Sequence, residues 1–357
     1  MNPLSLLPGL ARQWGFRLLG VPSLPFSLVV SVTYRCNSRC RTCNVWRKHS
    51  DELTLEEWQR VFARLGHAPR YLTFSGGEPF LRRDLAEIVA SAYEHCRPLA
   101  ITIPTNGLLG DRIAETCDRI AAACPQSNVG INLSLDEVGE RHDQIRGVPG
   151  NWEKAMGTWA ALKQLRRPNL TLSIHTVISR HNVQRLPEIR QALAALEPDS
   201  YITEIAEQRR ELDTLDSDIT PSPEEYRQAV EDLLAAGSVS AKGFAALTQA
   251  FRARYYRLAA EIVEEERQVI PCYAGWASGH FAPDGDVWTC CTRAEPIGNL
   301  RQTGYDLRPI WQGEEATRLR RSIRAGECAC PMANAAYTNM LLDPASLLQV
   351  AGHLLRR

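Results

Sequence analysis

From Phe26 to Ile205 the chain repeats one unit: a short apolar or β-branched run, then a stretch with apolar residues three and four positions apart. The first run spans 27–34 and carries Leu28, Val29, Val30 and Val32. Thr54 and Glu57 stand at capping-box spacing, which predicts a helix from Leu55 to about Leu65. The second strand then covers 71–75. Helices are expected over 82–95, 109–123, 151–166 and 183–196, and strands over 99–104, 129–135, 170–178 and 200–205, six strand–helix steps in all. Such alternation builds a parallel sheet, either open and doubly wound or curled into a partial barrel, and periodicity alone leaves both open.

The pattern changes after Thr220. Ser222 and Glu225 mark another helix start, and 220–270, rich in Ala, Glu, Arg and Leu, reads as a helical connector. From Pro271 onward Gly and Pro rise and Cys272, Cys290, Cys291, Cys328 and Cys330 crowd together, as in a loop-rich unit that needs a metal staple. Lys plus Arg balances Asp plus Glu at 41 each, so no net field draws nucleic acid. Eleven cysteines without a recognisable signal peptide suit a reducing cytoplasm, where clustered thiols bind metal more often than they pair. The apolar ends, 4–19 and 341–355, fall short of the ~20 residues that cross a bilayer, and suit either a membrane surface or the flank of the sheet.

Cys36, Cys40 and Cys43 follow the first strand in the spacing C-x3-C-x2-C. Three thiolates on one loop hold three irons of a cube and leave the fourth open to a substrate, unlike the four-ligand ferredoxin runs; a zinc knuckle is the alternative. At the end of the second strand stand Gly76, Gly77, Glu78 and Pro79, two glycines that admit a close backbone approach and a carboxylate suited to an ammonium group. A plain strand-to-helix turn reads equally well from that motif alone.

Together the two motifs resemble the radical S-adenosylmethionine (SAM) superfamily. The resemblance implies a partial (β/α)6 barrel with a 4Fe–4S cluster on Cys36, Cys40 and Cys43. SAM would chelate the open iron and be cleaved reductively to methionine and a 5′-deoxyadenosyl radical that abstracts hydrogen. It also implies SAM contacts at Gly76, Gly77, Glu78, Pro79, Asn106, Ser134 and Arg146, the last two at ribose or carboxylate. Thr42 replaces the aromatic residue usual before the last cysteine, which leaves the adenine contact open. Val177 or Ile178 suits adenine or plain core equally. Glu204, near the end of the sixth strand, is the expected catalytic carboxylate at the barrel mouth, and a solvated salt bridge is expected for Glu207 and Arg209.

Cys272 is followed by twelve residues, Gly285, four residues and Cys290, with a turn at 283–286 that folds a hairpin. This resembles the SPASM or twitch extension of the superfamily. Only Cys328 and Cys330 remain of its later cysteines, so the resemblance implies one auxiliary 4Fe–4S cluster on Cys272, Cys290, Cys328 and Cys330. Cys291 is the alternative to Cys290, and a zinc site the alternative to iron–sulfur. Cys96, Cys117 and Cys124 read as small buried apolar residues.

The expected organisation is an N-terminal amphipathic segment (1–25), a barrel (26–219), a helical connector (220–270), an auxiliary cluster unit (271–334) and a C-terminal helix (335–357). The first functional expectation is hydrogen abstraction from a small or lipid-like substrate, with electrons from a reductase, ferredoxin or flavodoxin. The second is maturation of a ribosomally made peptide, disfavoured by the short stretch before the first strand, which leaves no room for a fused recognition domain. A zinc-stapled, non-enzymatic binding protein is the alternative of another class.

Overall fold

The computed structural model describes residues 7–18, 22–235 and 244–355. In chain order it places α1 (Leu7–Leu18), β1 (Ser27–Thr33), α2 (Leu55–Leu65), β2 (Tyr71–Gly76), α3 (Leu85–Cys96), β3 (Ala100–Thr105), α4 (Asp111–Ala123), β4 (Asn128–Ser134), α5 (Glu140–Arg146), α6 (Asn151–Leu162), β5 (Leu170–Ile178), α7 (Leu186–Ala194) and β6 (Ser200–Ile205). There follow α8 (Pro223–Ala235), α9 (Phe244–Glu265), β7 (Ser278–Phe281), β8 (Asp286–Trp288), β9 (Pro296–Asn299), α10 (Leu307–Gln312), α11 (Glu314–Arg324), α12 (Ala333–Leu342) and α13 (Pro344–Leu355).

Strands β1 to β6 lie parallel and in sequence order, each bonded to the next. A doubly wound sheet reverses its strand order at a switch point, and this one does not, which decides for the partial barrel. Parallel order also brings every strand's C-terminal end, and the loop after it, to one edge. The apolar run of β1 is buried on both faces, and the strand lies inside the sheet with β2 on one edge and β7 on the other. Helix α2 starts at the expected capping box: Glu57 N–H donates to Thr54 Oγ1 at 3.2 Å, and Thr54 N–H donates to Glu57 Oε2 at 2.8 Å. Its buried Trp58 and Phe62 stack on each other, and Phe62 meets Phe74 of β2 edge to face.

The cysteine-rich end is continuous with this sheet. Strand β7 pairs parallel with β1 and carries β8 and β9 as an antiparallel extension. The turn expected at 283–286 joins β7 to β8, with Gly285 at φ +89°. Glu57 also accepts from Arg301 at 2.7 and 3.0 Å, so the residue that caps α2 anchors the C-terminal unit too, and its carboxyl is held down at about 2, chiefly by that bond.

Several bounds differ from expectation. The helix expected from 82 begins at Leu85, after a 3-10 turn at Pro79–Leu81, and the one expected over 183–196 is a 3-10 turn at Val183–Arg185 followed by α7. The C-terminal helix is two helices, because the residue before Pro344 is held extended and Asp343 then accepts from Ser346 N–H at 2.8 Å to start α13. The described parts of the apolar ends pack on the body: Arg12 of α1 donates to the Ala68 carbonyl at 3.4 Å, and α13 lies on α9, leaving Leu348 and Leu355 exposed, while residues 4–6 and 19 lie outside the described residues. Among the described residues no helix is long and apolar enough to cross a membrane.

Candidate active site and auxiliary cysteine cluster

The loop after β1 carries Cys36, Cys40 and Cys43, and two neighbouring strand ends clamp it. Gly77 N–H donates to the Thr33 carbonyl at 2.7 Å and Glu78 N–H to the Arg35 carbonyl at 2.9 Å. A Cβ on Gly76 would stand 2.1 Å from the Thr33 oxygen, and one on Gly77 2.2 Å from the Arg35 oxygen. The close approach these glycines permit is therefore of the chain's own backbone, where the sequence suggested a ligand. On the opposite side, Arg39 N–H donates to the Arg146 carbonyl at 3.0 Å and Arg41 N–H to the Ile145 carbonyl at 2.9 Å, with Gly147 at φ +65° passing beneath Arg39. Helix α5, which the sequence did not reveal, thus forms the second jaw.

Glu78 is buried and ties the β2 turn to the β3 turn. It accepts from Thr105 Oγ1 at 2.9 Å, Asn106 N–H at 2.8 Å and Phe80 N–H at 3.3 Å, and burial still pushes its carboxyl up to about 7. Asn106 Nδ2 reaches back to Asn37 Oδ1 at 2.7 Å and Ser38 Oγ at 3.0 Å, inside the cysteine loop. The cavity between these jaws is lined by the three cysteines together with Gly76, Gly77, Glu78, Asn106, Ser134, Asp136 and Arg146. Pro79 starts the 3-10 turn just behind it.

Burial raises all three cysteine thiols, Cys36 to about 11 and Cys43 to about 12, and each thiol lies in the field of another. Thiols so placed ionise when metal compensates the charge, as a shared cluster does. The buried Arg146 pairs through Nε with Asp136 at 2.9 Å and points Nη1 at Cys40 Sγ, 3.8 Å away. Its Nη2 has no hydrogen-bond partner among the described residues, an orphaned donor suited to a carboxylate entering the cavity. His142 holds this arrangement from behind, accepting from Asp136 N–H at 3.3 Å while Nε2 bonds Asn151 Oδ1 at 2.6 Å, and burial lowers it to about 4. The donor set and the open guanidinium edge fit a three-thiolate cluster with SAM.

The sixth strand distributes its acids differently from expectation. Glu204 faces His175, with Nε2 to Oε1 at 3.8 Å, and is not among the residues lining the cysteine cavity. Ala206, Glu207 and Arg209 do line it, and Val177 does from β5. Glu207, expected with Arg209 in a solvated salt bridge, is buried instead, and Arg209 is half-buried, both beyond the end of β6 at Ile205. Arg209 lies within 3.9 Å of Glu211 and reaches Met332 Sδ at 3.3 Å.

At the C-terminal unit, Cys272, Cys290 and Cys328 share one electrostatic environment, and Cys330 feels both Cys272 and Cys290. The neighbouring Cys291 turns the other way, toward His280 and Glu211, with the three ligating atoms within 4.8 Å of one another. Both lie beyond the end of β8 at Trp288, where the turn separates Cys290, with the cysteine group, from Cys291. Four half-buried thiols, with the Arg293 guanidinium in the field of Cys290 and Cys328, suit an iron–sulfur cube or zinc alike. Cys96, Cys117 and Cys124 are buried, away from both groups.

Comparison with known proteins now adds an independent line. Residues 30–193 match the Radical SAM superfamily and residues 272–331 the SPASM iron–sulfur cluster-binding domain. The chain is 26% identical to a PqqA peptide cyclase of Granulibacter bethesdensis, covering 93% of this chain and 89% of the relative. It is 29% identical to the mycofactocin maturase MftC of Mycolicibacterium smegmatis, over 85% of this chain and 75% of the relative. Among solved structures it shares its fold with Streptococcus suis SuiB bound to precursor peptide SuiA, at TM-score 0.64 and 14% identity over 90% of this chain and 72% of that one. It is also similar in fold to anSMEcpe with bound AdoMet and a peptide, at TM-score 0.61 and 13% identity over 93% and 97% of the two chains. With its barrel matched at the cysteine loop and its C-terminal cysteines matched separately, the chain belongs to the radical SAM superfamily as an enzyme with a SPASM-type extension, using SAM, a SAM-binding 4Fe–4S cluster and an auxiliary iron–sulfur cluster.

Proposed function

We propose that the enzyme matures a ribosomally made peptide by abstracting a hydrogen atom from one of its residues. The observation that carries this is the similarity to a PqqA peptide cyclase and a mycofactocin maturase along most of the chain, cysteine-rich end included. It favours the peptide over the small or lipid-like substrate that the terminal apolar stretches suggested. The described parts of those stretches pack against the body, which supports the same choice.

In this reading Cys36, Cys40 and Cys43 would hold the SAM-binding cluster, and Cys272, Cys290, Cys328 and Cys330 the auxiliary one. When bound, the first cluster and SAM supply one-electron cleavage of a SAM carbon–sulfur bond and hence a hydrogen-abstracting radical. The chain's own residues orient and enclose. Arg146, fixed by Asp136, offers its free edge to the SAM carboxylate. Glu78, Thr105 and Asn106 lock the two strand-end turns to the cysteine loop, and Ser134 and Val177 border the same cavity. The chain divides in function into the barrel, the α8–α9 connector and the auxiliary unit, and its setting is a reducing cytoplasm with a flavodoxin- or ferredoxin-type donor.

The test is to incubate anaerobically reconstituted, reduced enzyme and SAM with short peptides encoded in the same genome, beside lipid and polar-metabolite extracts. Peptide-dependent 5′-deoxyadenosine, with a peptide mass lowered by two hydrogens or otherwise changed, is expected. Stimulation by a lipid or metabolite fraction alone would overturn the proposal.

A further inference from the structure

One buried acid has no role in the account so far. Glu207 lines the cysteine cavity, is 9% exposed, and neither carboxylate oxygen has a hydrogen-bond partner among the described residues. The nearby cation does not satisfy it. Arg209 is in its electrostatic field but directs its guanidinium to Glu211, at 3.9 Å, to Met332 Sδ, at 3.3 Å, and to Cys291 Sγ, at 4.0 Å. A second carboxylate, Glu204, acts on Glu207 from β6, and the buried Tyr226 and Tyr255 lie in the field of both acids. Among the described residues Glu204 pairs with His175, at 3.8 Å, and also lies in the field of Arg209. Three acids, Glu204, Glu207 and Glu211, therefore face one arginine in this wall. A buried carboxylate left without donors is costly, so a partner from outside the chain is the natural complement. Glu207 also acts on Cys330, so the position lies between the two cysteine groups.

We infer that Glu207, reinforced by Glu204, is a substrate subsite that holds a cationic side chain, an ammonium or guanidinium, of the peptide beside the SAM cavity. The inference rests on the peptide reading and adds what that peptide must carry. An orphaned acid accepts charge-assisted hydrogen bonds from such a group, while an apolar side chain of equal length leaves it unpaired. The held residue, or its neighbour, then lies between the two cluster sites.

The test uses holoenzyme with SAM and two probes that differ by the terminal ammonium of the side chain, Nα-acetyl-lysine methylamide and Nα-acetyl-norleucine methylamide, with binding followed by saturation-transfer NMR. The lysine probe should bind about tenfold or more tightly than the norleucine probe. Glu207→Gln, which keeps the shape and removes the charge, should erase that preference while iron content and SAM affinity by equilibrium dialysis stay at wild-type values. Equal binding of the two probes, or a preference that survives Glu207→Gln, overturns the subsite. A loss of SAM affinity in Glu207→Gln also overturns it, by assigning the acid to the cofactor. If the lysine preference depends on Glu207 but no peptide is modified in the mass assay, the subsite stands and the peptide reading falls. If peptides are modified with no cationic preference, the reverse holds.

Discussion

Gly77→Ala probes how tightly the strand-end turn grips the cysteine loop. The new methyl would stand 2.2 Å from the Arg35 carbonyl oxygen and 2.6 Å from its carbon, where packed Cβ atoms keep at least 3.0 Å, and the obstacle is backbone that no rotamer change can move. The turn must retreat, and in doing so stretches the two bonds that cross the seam, Gly77 N–H to Thr33 O at 2.7 Å and Glu78 N–H to Arg35 O at 2.9 Å. Two such bonds contribute about 1 kcal/mol each, and overpacking adds about 1–3 kcal/mol. The expected loss is thus about 3–5 kcal/mol, a melting point lower by roughly 4–7 °C for a chain of this size. Because Cys36 follows Arg35 directly, iron should be lost from this loop and kept by the cysteines of the C-terminal unit. Circular dichroism melting of the apoprotein and iron per chain after reconstitution read both effects. Gly157→Ala is the control: it lies within α6 with nothing within 4 Å of the added methyl, and should stabilise by about 0.5–1 kcal/mol. Wild-type melting and iron content in Gly77→Ala would refute the clamp.

Other consequences are as direct. Arg146→Met removes the cation facing Asp136 and the free edge offered to SAM, so SAM affinity should fall about a hundredfold or more and stability by about 3–5 kcal/mol, read by equilibrium dialysis and denaturant melts. Cys290→Ser should lose the auxiliary iron while Cys291→Ser keeps it, measured as iron per chain, because the two side chains face opposite ways. His142, lowered by burial to about 4 against an unfolded value near 6.5, binds fewer protons when folded. Its contribution is fully present above pH 6.5 and is lost as pH falls toward 4, at most about 3 kcal/mol. His142→Gln should flatten the stability slope over that window in urea melts.

The sequence made the barrel readable where local and tertiary signals agree. The β-branched core of β1, the capping box of α2 and the bounds of β6 all follow from short-range rules. Helix α5 escaped because it has seven residues, a Gly139 N-cap without a side-chain bond, and stability drawn from Arg39 and Arg41 across space. Glu207 and Arg209 escaped because strand alternation stops at Ile205, so parity no longer says which side chain turns inward. The two glycines of the β2 turn announced a close approach, but a sequence does not say whose atoms approach. The choice between Cys290 and Cys291 needed the β8 hairpin in three dimensions.

The most direct test of the account is formation of 5′-deoxyadenosine from SAM by anaerobically reconstituted, dithionite-reduced protein, wild type against Cys40→Ala. The account predicts one 5′-deoxyadenosine for each methionine in the wild type, and none from Cys40→Ala even though that variant keeps the iron of its C-terminal cysteines. Turnover by Cys40→Ala at the wild-type rate would contradict it.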